Sequence, residues 1–270
     1  MTLKTAVVTG ASAGIGRELV RQLVRDRGMT VLATARRRDR LDELAAEVGR
    51  DRVHVLDGDL ADAGFRARLW EHAEATFPEG VDVLVNNAGV GHYAEFADQP
   101  IEAWRSIIEV NVVALMDLTQ RAIRHMKARK TGQIVEVSSI LGTFGIPYSA
   151  AYVASKHAVD GLVKCLRAEL RGTGVRVWAA CPGRTSSEFA SVALGRPGGA
   201  GRDKSGEPTA KIAHNNLKGL DRDRRFVLPS LQAWAAATAA QFLPGPFGWA
   251  MERWGPAHFR KEIEGAGGTI

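Results

Sequence analysis

Thr5-Ala6-Val7-Val8-Thr9-Gly10-Ala11-Ser12-Ala13-Gly14-Ile15-Gly16 joins a short apolar, β-branched run through a glycine-rich turn to an amphipathic stretch, Ile15 to Arg27. A run of this kind suits a strand buried on both faces, and spaced apolar positions after it suit a helix lying on such a sheet. Between them, Gly10, Gly14 and Gly16 let the backbone turn tightly. With Ser12 and Ile15 they bring main-chain N–H groups and a helix N-terminus to one place, which can hold a pyrophosphate or be only a turn. The spacing departs from G-x-G-x-x-G, so the position between strand and helix carries the binding reading.

The same alternation continues along the chain. Strands are predicted at Val31–Thr34, Val53–Leu56, Val83–Val85, Ile134–Val137 and Val175–Ala179, with helices at Leu41–Val48, Phe65–Phe77, Trp104–Arg129 and Tyr152–Arg171. Near-continuous apolar strands separated by helices specify an α/β fold, a parallel sheet covered on both faces. Right-handed crossovers leave the doubly wound dinucleotide fold, the Rossmann fold, as the leading topology. One domain spanning 1–270 is expected, since 270 residues at 45% hydrophobic content build one large core.

Composition narrows the function classes. The net charge of +6 could suit nucleic acid, but the basic residues are dispersed and the only dense run is Arg36-Arg37-Arg38, so a solvated basic surface is expected and no nucleic-acid partner. Two cysteines, Cys165 and Cys181, fit neither a metal site nor a disulfide scaffold, and read as reduced core residues. With no cleavable leader and no membrane-length apolar run, a cytoplasmic protein without a transmembrane segment is expected.

Several residues at strand ends can carry chemistry. Tyr152 and Lys156 are four apart in a predicted helix, which puts phenol and ammonium on one side about a turn apart. The ammonium would lower the Tyr152 pKa and make it usable as an acid or base, though such pairs also occur as minor helix support. After the second strand stand Arg36 and Arg37, where an NAD site would place an acid on the ribose 2′-hydroxyl. Arg36 can instead bond a 2′-phosphate and Arg37 add charge or stack on adenine, so NADP (NADPH) is expected; otherwise the arginines merely begin an exposed helix. Asp59-Leu60 is placed to meet the adenine or to be a plain turn. Asn86-Asn87-Ala88-Gly89 forms a polar turn after the fourth strand. Asn111 lies inside a helical run, where it can bend the helix and bind water, or serve packing. Ser139 ends the fifth strand as a ligand contact or a cap.

In this order, the Thr9–Gly16 turn, Asn86 to Gly89, Asn111, Ser139 thirteen residues before Tyr152, the Tyr152-x-x-x-Lys156 pair and Cys181-Pro182-Gly183 make the chain resemble the short-chain dehydrogenase/reductase family over about residues 4 to 190. The resemblance implies a carbonyl reductase working by reversible hydride transfer on a small carbonyl or alcohol substrate, largely apolar, in a homodimer or homotetramer. It assigns Ser139 to the substrate carbonyl, Tyr152 to the proton, Lys156 to the nicotinamide ribose and the Tyr152 pKa, and Asn111 to a relay water. Asn87, Ala88, Gly89, Pro182, Gly183, Thr185 and Ser187 would border the cofactor. No metal is implied. Arg184 departs from the aliphatic residue usual after Pro-Gly. A non-redox member, epimerase or dehydratase, and a cofactor-bound sensor without turnover remain as alternatives.

Beyond residue 190 the resemblance fades. The stretch 190–225, with its run Gly195 to Gly206, reads as a substrate lid or an idle loop; 226–270 reads as an edge strand, Phe226–Pro229, and an apolar helical extension beginning with Leu231–Phe242. Trp234, Trp249 and Trp254 there could pack on the sheet, line the substrate site, or meet a second subunit or a membrane.

Overall fold

The β-branched runs pair into one parallel sheet of seven strands in the computed structural model, which describes residues 3–189, 206–221, 225–228 and 230–265. In chain order the first half comprises β1 (Thr5–Thr9), α1 (Gly14–Arg25), β2 (Thr30–Ala35), α2 (Arg38–Val48), β3 (Val53–Asp57), α3 (Ala63–Thr76) and β4 (Val83–Asn86). The second half runs through α4 (Ile101–Ile108), a π-helical turn (Glu109–Ala114), α5 (Leu115–Arg129), β5 (Gly132–Val137), α6 (Ala150–Glu169) and β6 (Val175–Ala180). Then come a two-strand pair, β7 (Thr185–Ser186) with β8 (Glu207–Pro208), α7 (Thr209–Leu217), β9 (Phe226–Val227), α8 (Leu231–Phe242) and α9 (Pro244–Gly265). Strand order β3-β2-β1-β4-β5-β6-β9 makes this a doubly wound sheet.

The continuous apolar strands follow from burial on both faces. Val8 faces a core with Leu19, Leu23, Leu41, Leu44 and Trp178, whereas Val7 faces the opposite core with Leu69, Trp70, Leu118, Met126 and Val163. Neighbouring side chains of a strand point to opposite sides, so one apolar run serves two cores. β1 pairs with β2 on one edge and β4 on the other, so the order reverses there and the turns after β1 and β4 come together.

Asn111 sits inside the π-helical turn that joins α4 to α5. The bend expected of it is therefore a local widening of one helical run, which starts at Ile101, three residues before the predicted Trp104. Arg66, buried on α3, braces the same region: its Nε reaches Asp117 at 2.8 Å and its Nη1 reaches Glu109 at 2.9 Å and the Leu60 carbonyl at 2.7 Å.

Two expectations change here. Cys165 is exposed on the outer face of α6, because Val163 and Leu166 take the inward positions; only Cys181 is a core residue. Within 190–225, α7 packs on α1, with Ala213 and Leu217 in the core and Gln22 Nε2 donating to the Ala210 carbonyl at 2.9 Å. That part of the stretch is therefore core, and Gly195 to Ser205 lies outside the described residues. Among the described residues no helix is long and apolar enough to cross a membrane.

Candidate active site

The turns after β1 and β4 are tied together by side chains. Thr9 Oγ1 accepts from the Asn87 and Ala88 amides, each at 3.0 Å, and Asn87 Nδ2 donates to the Thr9 carbonyl at 2.9 Å. Gly10 has φ 66°, and a Cβ there would lie 2.8 Å from Ala88 Cα and 2.9 Å from Asn87 Nδ2; one on Gly16 would also collide with Asn87. These two glycines thus serve loop-to-loop packing as much as ligand approach. The first residue before α1 is Ala13, which offers no capping side chain, so the helix presents its N-terminal N–H groups uncapped beside Gly14 and Ile15. An uncapped helix start in a glycine turn fits a dinucleotide pyrophosphate.

Arg37, rather than Arg36, lies across this turn. Its Nε and Nη2 donate to Ser12 Oγ at 3.3 and 3.2 Å and its Nη1 pairs with Glu188 at 3.1 Å, while Arg36 is exposed. Asp59 accepts from the Ala61 amide at 2.9 Å in an Asx turn, and Leu60 is buried in the core next to Phe65. On the other side of the cleft, Ser187 is buried with its Cβ near Gly14, Thr185 Oγ1 donates to the Gly183 carbonyl at 3.1 Å, and the Pro182 carbonyl accepts from the Ile140 amide at 3.0 Å.

The four candidate catalytic residues meet where β5 ends and α6 begins. Lys156, buried, donates from Nζ to the Val137 carbonyl at 2.8 Å, and this Nζ lies 5.5 Å from the centre of the Tyr152 ring. Ser139, 7% exposed, is hydrogen-bonded to Tyr152 and accepts from the Leu141 amide at 3.2 Å. It is both a cap and a neighbour of the phenol. Asn111 clamps Val90 with two bonds, accepting from its amide and donating to its carbonyl, each at 2.9 Å, and donates to Ser155 Oγ at 3.1 Å. Ser155 in turn donates to the Tyr152 carbonyl at 2.7 Å, which links the π-helical turn to the helix that carries the phenol.

The model of the short chain dehydrogenase family matches residues 4–194. The chain belongs to the short-chain dehydrogenase/reductase family. An uncharacterized oxidoreductase of Myxococcus xanthus is 40% identical over 196 residues, 71% of this chain and 76% of that protein. A farnesol dehydrogenase of Aedes aegypti is 36% identical over 195 residues, 69% and 79% of the two chains. Among solved structures, a short-chain dehydrogenase from Sphingobium yanoikuyae in complex with NADPH aligns with a TM-score of 0.78 at 28% identity, covering 93% of this chain and 96% of that one. As a short-chain dehydrogenase the protein is an oxidoreductase of CH–OH and C=O groups that acts on small molecules.

The electrostatics of this dehydrogenase reverse one sequence expectation. Burial raises the Tyr152 pKa, Tyr93 adds to the rise, and the hydrogen bond with Ser139 only opposes it. The lowering expected from Lys156 is not realised, because Lys156 directs its Nζ to Val137 and is itself brought down to about 8 by burial, against the pull of Asp160, Cys181 and Glu136. Tyr152 is therefore held as a neutral phenol able to donate.

Glu136 is a component that the sequence reading passed over. It is fully buried in β5, accepts from Thr119 Oγ1 at 2.7 Å, and burial pushes its pKa up to about 7 against the hydrogen bonds of Thr119 and Asn86 and the charge of Lys156. A lone acid in an apolar parallel strand was the available signal. The folded state keeps the Glu136 proton between the ordinary 4.5 and about 7 while the unfolded chain releases it, so stability falls as pH rises through that window. Glu136→Gln should remove up to roughly 3 kcal/mol of this decline. Urea midpoints at pH 5 and pH 8 check it, and parallel changes in wild type and variant would refute it. Phe189, whose ring centre is 5.5 Å from that of Tyr152, and Glu188 were also missed, because their placement depends on where the chain goes after β7.

Proposed function

We propose that the chain is an NADPH-dependent reductase of ketones or aldehydes, reversible in principle, with Tyr152 as the acid/base. The observation that carries this is the hydrogen-bonded Ser139 and Tyr152 beside buried Lys156, one cleft away from an uncapped helix start. When bound, the nicotinamide supplies the hydride. Ser139 donates to the substrate oxygen and stabilises the developing oxyanion. Tyr152 passes its phenolic proton to that oxygen, and Lys156, which does not lower the pKa of the resting phenol, holds the ribose and offsets the negative charge that develops only as the proton leaves. Asn111 keeps Ser155, and through it the Tyr152 turn, in place, its side-chain amide being committed to Val90 and Ser155. Phe189 beside the phenol supports an apolar substrate, consistent with the name of the farnesol dehydrogenase it resembles. A cytoplasmic homo-oligomer completes the reading.

NADPH rather than NADH is supported by Arg37 on Ser12 of the glycine turn with Arg36 next to it. Arg37→Asp and Arg36→Asp should each weaken NADPH binding by about tenfold or more, with NADH much less affected, because a charge-assisted contact to the 2′-phosphate becomes a repulsion. Fluorescence titration with both cofactors reads this, and a wild type that prefers NADH overturns it. The reaction itself is tested by NADPH oxidation against a carbonyl panel. Tight cofactor binding without turnover of any carbonyl or alcohol would move the chain to the non-redox or sensor class.

A further inference from the structure

An NAD site of this fold carries an acid after the second strand, and this chain has Arg36 and Arg37 there. A carboxylate nevertheless reaches the start of α2 from the other side of the cleft. Glu188 follows the buried Ser187 and precedes Phe189, the residue whose ring meets Tyr152. Its Oε2 accepts from Arg37 Nη1 at 3.1 Å and its Oε1 accepts from Arg40 Nη1 at 3.5 Å. Arg37 stands just before α2 and Arg40 lies in its first turn, so one carboxylate draws both guanidiniums to one point.

The other charges nearby are engaged elsewhere. Arg38 turns to Asp42 and Asp57, and Arg17 pairs with Glu43 and Glu47. Among the described residues, the ion pairs of Arg37 and Arg40 are with Glu188. Arg37 does not depend on that pair for its position, because its Nε and Nη2 both donate to Ser12 Oγ in the glycine turn. What Glu188 takes up is the remaining arm, Nη1, and it cancels one of the two positive charges.

We propose that Glu188 is a specificity-determining residue, which competes with the ribose 2′-phosphate of NADPH for Arg37 and Arg40 and so restrains the preference for that cofactor, and that Arg40 is a further ligand of the phosphate. The inference rests on the NADPH reading given above and deepens it. Two guanidiniums at one point suit a phosphate, and each charge-assisted bond to it has to be taken from the carboxylate. A carboxylate next to a phosphate also repels it, whereas the free 2′-hydroxyl of NADH can donate to an acid. Glu188 therefore acts on the two cofactors in opposite directions, and specificity is the difference between them.

Titration calorimetry of the whole protein with NADPH, NADH, adenosine 2′,5′-bisphosphate and AMP reads this without turnover. Glu188→Gln keeps the length of the side chain and removes its charge. It should tighten NADPH and the bisphosphate by about threefold or more, while NADH and AMP bind no better than before. Glu188→Ala should act in the same direction, so the result does not hang on one variant. Arg40→Gln should weaken NADPH and the bisphosphate and spare NADH, and in that background the gain from Glu188→Gln should shrink, because the two residues share one interaction. Unchanged NADPH affinity in the Glu188 variants overturns the proposal, and a loss confined to NADPH makes Glu188 an orienting partner of the arginines instead. Unchanged NADPH affinity in Arg40→Gln removes Arg40 as a ligand. In each of these cases a wild type that prefers NADPH leaves the cofactor reading standing; a wild type that prefers NADH removes that reading and this inference with it.

Discussion

Tyr152→Phe is expected to lower carbonyl reduction by ~10²-fold or more while NADPH still binds, the loss typical of removing a positioned acid. The substitution keeps the ring, and with it the contact to Phe189, and deletes only the hydroxyl that bonds Ser139. Burial holds the phenol protonated at neutral pH, so in the reductive direction the proton is present before the substrate arrives. The hydroxyl acts on charge that develops only in the transition state, so kcat should fall with little change in KM. Single-turnover kinetics with cofactor-saturated protein read the step directly. A folded, cofactor-bound variant that reduces its substrate at close to the wild-type rate would remove Tyr152 from the mechanism.

Lys156→Ala should damage both cofactor binding and turnover, the latter again by ~10²-fold, and its effect should not add to that of Tyr152→Phe because the two act as one unit. Burial lowers the Lys156 pKa to about 8, so the ammonium is present below that value and is lost as pH rises through it. Reduction by the wild type should therefore fall off above about pH 8. In the variant this limb should disappear. Additive losses in the double variant, or an unchanged alkaline limb in Lys156→Ala, would show that Lys156 does not work through Tyr152.

Most of the sheet could be read from residue types. Val7 and Val8 are both apolar because each serves a different core, and that pattern alone separates a covered parallel sheet from a half-exposed one. The glycine turn, the Asn87 turn, Ser139 and the Tyr152–Lys156 spacing were likewise legible, since local backbone requirements and helical periodicity are written in nearby residues. Asn111 announced itself as a poor helix former, and the π-helical turn is the form its disturbance takes.

What the sequence by itself determined is the order and kind of elements, and hence the strand ends at which chemistry is placed. Only the tertiary structure decided the direction of the Tyr152 pKa, because desolvation is a property of the packed surroundings and outweighs a neighbour four residues away. It also decided that Arg37 rather than Arg36 lies on the glycine turn, that Cys165 faces out, and that Glu136 is buried behind Lys156. The three C-terminal tryptophans show the same limit: their residue type suits core, subunit or lipid equally, and their outward direction was settled by the inner contacts of the two helices, buried Ala233 and Ala237 on α8 and Phe247 against Phe144 on α9.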